Sequence, residues 1–280
     1  GVGIGVSRIR GRGKAIRDNG ISEGVVPWCK IYDSTILATN QGSVRRGAAS
    51  VNLSIHHPDI EEFLGIRRPK GDVNRQCLNL HQCVVVDDKF MNKLEDKDPK
   101  ALKLWGEILK TRLETGEPYI IYSDAVNRQI PQHQKLAGLS VKTSNLCSEI
   151  TLTTGIDQHG GDRTAVCCLS SLNLEKFDEW QSVPGFVEDV MRFLDNVLQD
   201  FIDQAPEEFS KAKYAAMRER SVGLGVMGFH SFLQQKNIPF ESAMAKSWNM
   251  RMFKQIREQA DAASSKLAEE RGACPDAAEY

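Results

Sequence analysis

The segment from Thr143 to Ile150, TSNLCSEI, sets an amide (Asn145), a thiol (Cys147) and a carboxylate (Glu149) at every second position. In extended backbone, side chains two residues apart point the same way, so the three would share one face. The trio offers a hydrogen-bonding amide, a sulfur able to act as nucleophile or hydrogen-atom centre, and a general base. On the residues alone a plainer alternative stays open: a buried cysteine in a strand whose polar neighbours face solvent. Two other stretches set cations among glycines, SRIRGRGKAIR at 7–17 and QGSVRRG at 41–47. Arginine forks and glycine-exposed backbone amides suit phosphate oxygens, the plainer alternative being a solvated basic loop.

These groups need elements to hold them. Five glycines in the first thirteen positions, followed by arginines, read as a short strand running into a flexible basic loop over residues 1–22. Pro27 suits the first turn of a helix to about Thr39, which the two basic loops bracket. Val51, Leu53 and Ile55 alternate with polar residues as in a half-buried strand, and Pro58 to Leu64 begins a helix. Helices follow at 88–95 and 99–115, then a strand at 118–122 and a polar loop to Val141. The clearest helix is 184–204, with apolar residues at three- and four-residue steps from Val187 to Ile202. Another is expected at 207–219, a glycine-rich turn at 221–228, and a long helix at 241–271 ended by Gly272 and Pro275. Strands and helices mixed without a linker favour one α/β domain.

Composition narrows the classes. With 41% hydrophobic residues, 26% charged and a formal net charge of -1, the chain has the make-up of an ordinary globular protein, not a disordered one. Near-zero charge argues against bulk nucleic-acid binding, and a small anion fits the Arg8–Arg17 cluster better. No apolar run approaches the roughly 20 residues of a membrane span, and no signal pattern opens the chain, so a cytoplasmic location is expected. The seven cysteines form no CxxC pair and no zinc-like spacing, which points to reduced thiols. Cys29 and Cys274 read as packing residues. His56, His57 and His81 lack a fourth ligand for a metal site, and Gly1, Gly3 and Gly5 make too short a run for a dinucleotide-binding fingerprint.

At NLCSEI the sequence resembles the finger-loop signature of ribonucleotide reductase catalytic subunits. The surroundings agree in order and spacing over essentially all 280 residues. SRIRGRGKAIR (7–17) resembles the first effector loop of that family and QGSVRRGAA (41–49) the second. CCLSSLNL (167–174) resembles the strand carrying a redox cysteine, and RSVGLGVMGF (220–229) and GACP (272–275) later core segments. The NLC form and both loops look closer to the class with a separate radical-generating subunit than to cobalamin-dependent reductases.

The resemblance implies the ten-stranded α/β barrel of radical reductases, incomplete in this chain, with a central finger loop. Residues 1–280 would form a single incomplete catalytic barrel domain, with effector-specificity loops and a dimer-interface helix in residues 1–50. The implied activity is that of a ribonucleoside-diphosphate reductase, which makes deoxyribonucleotides for DNA synthesis. Cys147 would be the thiyl radical that removes the 3′ hydrogen, Glu149 the base for the 3′-hydroxyl and Asn145 a substrate-holding amide. A dry pocket would protect the radical. Cys167 matches one of two redox cysteines, whose partner in the family lies upstream of the segment matched by Gly1. Cys168 is a poor substitute, since neighbours along a strand face opposite ways and vicinal disulfides are strained. Arg10 and Arg17 match effector-phosphate contacts, and Gln41 and Arg45 would relay the effector base to the substrate base. Arg46 stands where the family pattern often has glycine.

No cofactor or metal is expected on the chain itself. The radical would come from a separate metal-containing small subunit, with dNTP and ATP as effectors and ribonucleotides as substrates. Other implied partners are a complementary fragment of the large subunit, a second large subunit, and thioredoxin or glutaredoxin, with neither membrane nor nucleic acid among them. An opening on Gly1 without methionine, and missing family segments, lead to the expectation of a piece of a longer or split polypeptide. The competing class is a non-catalytic deoxynucleotide-binding regulatory module, disfavoured by the joint presence of Asn145, Cys147, Glu149 and Cys167.

Overall fold

Parallel strands must be joined by crossovers, and helices supply them in the first half of this chain. The computed structural model describes residues 1–39 and 46–280, which divide into two compact units: Gly1–Pro131 with Ser140–Thr153, and Gln132–Leu139 with Thr154–Tyr280. The first unit runs β1 (Val2–Gly5), α1 (Val26–Ala38), β2 (Ala49–Ser54), α2 (Ile60–Gly65), β3 (His81–Val86), α3 (Asp88–Glu95), α4 (Pro99–Thr115), β4 (Tyr119–Tyr122) and α5 (Ser123–Gln129). The strands lie in the order β1-β2-β3-β4, all parallel, with Gly3 beside Ser50, Ser50 beside His81 and Cys83 beside Tyr119. Val51, Leu53 and Val84 belong to a core shared with Cys29 of α1, Phe63 and Leu64 of α2 and Ile108 of α4. Helix starts follow local chemistry: Asp87 Oδ1 accepts from the Phe90 N–H and Asp98 Oδ1 from the Ala101 N–H. Gly116 ends α4 at φ 79°, where only glycine sits without strain.

The second unit comprises α6 (Gln132–Leu136), β5 (Gly155–Ile156), β6 (Asp162–Arg163), β7 (Leu169–Asn173), α7 (Phe177–Trp180), α8 (Phe186–Gln204), α9 (Ser210–Glu219), β8 (Gly223–Met227), α10 (Phe229–Gln235), α11 (Ala243–Arg271) and α12 (Pro275–Glu279). β7 and β8 pair in parallel. Val187, Met191 and Leu194 of α8 share a core with Met252, Ile256, Ala263 and Leu267 of α11, as the apolar periodicity of 184–204 requires. Phe177, Phe232 and Trp248 meet edge-on in that core.

Several expectations change. β2 is buried on both faces, because its alternate polar residues Ser50 and Asn52 are covered as fully as Val51 and Leu53. β3 went unread: its CVVV run lacks alternation, the mark of a strand covered on both sides. The expected loop between β4 and Val141 contains α5 and α6, short helices with almost no buried face to generate a period. The expected glycine-rich turn at 221–228 holds β8, where Gly223 and Gly225 lie opposite Leu169 and Ser171. The alternation of Val222, Leu224 and Val226 was the available signal.

Candidate active site

The finger segment is not extended. The Ser148 N–H donates to the Asn145 carbonyl at 3.2 Å, and Ser148 adopts φ 66°, so residues 145–148 form a tight turn with Cys147 at its exposed tip. A turn wins over a strand here because side chains close it. Asn145 Oδ1 accepts from the Ile150 N–H at 3.2 Å, and the Ser144 hydroxyl donates to the Ile150 carbonyl at 2.7 Å. Both backbone groups of Ile150 are thereby satisfied without a strand partner. With Oδ1 so engaged, Asn145 keeps its Nδ2 hydrogens as a donor. Glu149 is exposed beyond the turn. The three residues are therefore near neighbours around one turn, rather than alternate members of one strand face.

The turn lies against the first sheet on the face bearing Gly3, Gly5, Ser50, Asn52, Cys83 and Tyr119. A Cβ on Gly3 would sit 1.6 Å from the Ser144 carbonyl oxygen, and one on Gly5 2.7 Å from Thr143 Cγ2, so both glycines are needed for close approach. The Ser50 hydroxyl donates to the Asn145 carbonyl at 3.1 Å. Burial pushes the Cys83 thiol up to about 12, against a counteracting hydrogen bond from Ser148. Tyr119 is raised by burial and then by the charges of Glu117 and Cys147, which places its phenol in the neighbourhood of the turn. His81 Nδ1 donates to Glu117 Oε1 at 2.5 Å, and Glu117 Oε2 accepts from the Gln82 N–H at 2.8 Å. Burial alone would raise Glu117, but these bonds and Arg67 at 3.5 Å hold it below the ordinary carboxylate range. Sequence reading missed Ser50, Asn52, Tyr119 and the His81–Glu117 pair. Ser50 and Asn52 lie on β2, His81 on β3, and Tyr119 on β4 with Glu117 just before it, and no spacing along the chain announces that these elements meet.

The first basic loop is pinned, not flexible. Gly13 N–H donates to Ser22 O, Ser22 N–H to Lys14 O and Ile16 N–H to Gly20 O, at 2.7–2.9 Å, giving a hairpin-like fold. Asp59 closes its base, accepting from the Arg12 N–H through Oδ1 and the Val25 N–H through Oδ2, both at 2.9 Å. His57 adds a second tie. Its Nδ1 accepts from the Asp59 N–H, so its Nε2 carries the hydrogen donated to the Ile9 carbonyl at 2.8 Å. Arg10 and Arg17 point outward, exposed, and among the described residues neither has an acidic partner, whereas Arg12 faces Glu23 and Glu62. Gln41 and Arg45 lie outside the described residues.

In the second unit, Cys167 is exposed two residues before β7. Cys168 turns the other way, donating to the Leu194 carbonyl at 3.5 Å, and burial followed by Asp195 raises its thiol. The two neighbouring thiols thus face opposite ways, as neighbours along extended backbone do. No group of three His, Cys, Asp or Glu suited to a metal occurs among the described residues.

Comparison with known proteins gives this geometry a lineage. The family profile described as "Ribonucleotide reductase, barrel domain" matches residues 1–103 and 96–279. A Frog virus 3 (isolate Goorha) protein named as a ribonucleoside-diphosphate reductase large subunit is 43% identical over 275 residues, covering 92% of this chain and 48% of its own length. The corresponding large subunit of Invertebrate iridescent virus 3 is 37% identical over 345 residues, covering 99% and 53%. The solved Actinobacillus ureae class Id ribonucleotide reductase alpha subunit superposes with a TM-score of 0.84 at 32% identity, over 99% of this chain and 50% of that one. The chain thus spans about half the length of the relatives it matches, and its fold is that of part of the reductase barrel. On the profile match over nearly its whole length, this chain belongs to the ribonucleotide reductase barrel-domain family.

Proposed function

We propose that the chain supplies the radical-bearing part of a ribonucleoside-diphosphate reductase catalytic subunit and acts together with the remainder of that subunit. The observation that carries this reading is the side-chain-closed turn, which holds Cys147 exposed at its tip with the Asn145 amide and Glu149 carboxylate beside it. A separate metal-containing subunit supplies the one-electron oxidant. Cys147 loses its hydrogen as an electron and a proton, then removes the 3′ hydrogen of the ribonucleotide. Glu149 takes the 3′-hydroxyl proton while a thiol of the reducing cysteine pair protonates the 2′-hydroxyl, which departs as water; Asn145 Nδ2 donates to a substrate oxygen, and Glu149 returns its proton to the 3′ oxygen once C2′ has been reduced. Two cysteine thiols, Cys167 and one from the rest of the subunit, give two electrons and two protons and become a disulfide, which thioredoxin or glutaredoxin reduces. Cys147 then returns its hydrogen to C3′. The balance is ribonucleotide plus dithiol to deoxyribonucleotide, disulfide and water.

Arg10 and Arg17 are the proposed contacts for the phosphates of a deoxynucleoside triphosphate or ATP, with Gln41 and Arg45 on the second loop. The exposure of Arg10 and Arg17 on a pinned hairpin supports a preorganised anion site. Trp28 and Ile31 lie exposed about one turn apart on α1, which supports a second large subunit docking there. The test is ribonucleotide reduction by the chain combined with the rest of its subunit and a radical-generating subunit, wild type against Cys147→Ala. Turnover in the wild type and none in the variant is expected. Tight deoxynucleotide binding without turnover in any mixture would instead favour the regulatory-module reading.

A further inference from the structure

Beneath the Cys147 turn lies a run of buried polar groups that the proposed chemistry leaves unused. Ser50 in β2 is fully buried, and its hydroxyl donates to the Asn145 carbonyl at 3.1 Å. Its single hydrogen is spent there, so toward Asn52 it can only accept. Asn52, also fully buried, directs Nδ2 at Ser50 Oγ and at the Ile4 carbonyl of β1, each at 3.5 Å. Its Oδ1 has no partner among the described residues. Hydrogen bonds therefore run in one direction, from Asn52 to Ser50 to the backbone two residues before Cys147. The sheet itself does not need these side chains, since apolar residues would cover the same surface without a buried, unpartnered oxygen.

Their position in the chain is informative. β1 leads straight into the loop bearing Arg10 and Arg17, and β2 begins just after the segment bearing Gln41 and Arg45. The two 3.5 Å contacts stand at the outer limit of hydrogen bonding, so a small shift of β1 against β2 makes or breaks them. The shorter Ser50 bond would pass such a shift to the turn.

We propose that Ser50 and Asn52 are positioning residues that hold the Cys147 turn in place and make that placement depend on the two strands flanking the effector loops. The inference rests on the reading of Cys147 as the radical centre. Effector binding then acts on turnover through the turn, in addition to any choice among substrate bases.

The test uses the complete catalytic subunit with its radical-generating subunit, assaying the four ribonucleoside diphosphates with and without the four deoxynucleoside triphosphates. Ser50→Ala is expected to lower kcat at least ten-fold, with substrate KM and effector Kd within two-fold of wild type, and to shrink the ratio of stimulated to basal turnover. Ser50→Thr, which keeps the hydroxyl, restores both. Asn52→Leu shrinks the stimulated ratio in the same direction, and it carries the test if Ser50→Ala does not fold. Wild-type kcat and stimulation in Ser50→Ala, or in a folded Asn52→Leu standing in for it, would overturn the proposal, as would a parallel loss of kcat and KM that threonine does not rescue. Cys147→Ala, assayed alongside, separates the two levels: turnover in that variant sinks the radical-centre reading itself.

Discussion

At the scale of single residues, the turn around Cys147 explains why its neighbours have separate tasks. Asn145 divides its amide, with the oxygen closing the turn and the nitrogen left to donate outward. Glu149 takes no part in closing the turn and is exposed, which leaves its carboxylate open for the role proposed for it. Glu149→Gln removes the base while keeping the shape, so kcat should fall by about 10²–10⁴ with effector affinity unchanged. Steady-state assays with equilibrium dNTP binding check this, and a variant with near-normal kcat would remove Glu149 from the proposed mechanism. The amide, thiol and carboxylate could be named from the chain alone. Their arrangement could not: alternation along the chain reads as extended backbone, and the turn follows only from the capture of Ile150 by Ser144 and Asn145.

At the scale of elements, a loop rich in glycine and arginine is expected to move, yet Asp59 and His57 fix its base. Asp59 holds the N–H groups of Arg12 and Val25, and Val25 is fully buried. Leaving a buried donor unsatisfied costs about 1–3 kcal/mol. Asp59→Ala should therefore lower the midpoint of denaturant unfolding and weaken dNTP binding, while basal turnover without effector changes less. Equal effects on basal and stimulated turnover would show that the loop base does not serve the effector site. The long helices were legible because each buries one periodic face; α5 and α6 were not, since such short elements bury too little to leave a pattern, and at β8 the glycines that read as a turn hid the alternation of Val222, Leu224 and Val226.

At the scale of the whole molecule, each unit carries its own core, and the second contains an internal electrostatic knot. Arg163, almost wholly buried, bridges Asp157 and Asp276, and Arg218 and Tyr214 reach the same two carboxylates. Beside it, Glu219 is buried and accepts from Gln134 Nε2 at 3.0 Å. Burial lifts its carboxyl from 4.5 to about 7, with Arg163 opposing and Asp276 assisting. The folded state thus holds a proton that the unfolded chain releases near pH 4.5. Stability is lost as pH rises from about 4.5 to about 7, by at most about 3 kcal/mol, and is level above that. Glu219→Gln abolishes this titration, so thermal unfolding should show the variant gaining on wild type at pH 8 relative to pH 5. The same difference at both values would mean that Glu219 does not titrate in this range.

By itself the sequence determined the chemistry on offer and the family: the types and order of Asn145, Cys147, Glu149, Cys167 and the basic loops, and the helices long enough to show a period. Those are local properties, carried by residue type and by spacings of a few positions. Tertiary structure decided which distant residues serve the turn. Gly3, Ser50, Tyr119 and the His81–Glu117 pair reach one sheet face only through parallel register, which brings together residues far apart in the chain. No local periodicity encodes that register; it is set by the burial of both sheet faces together.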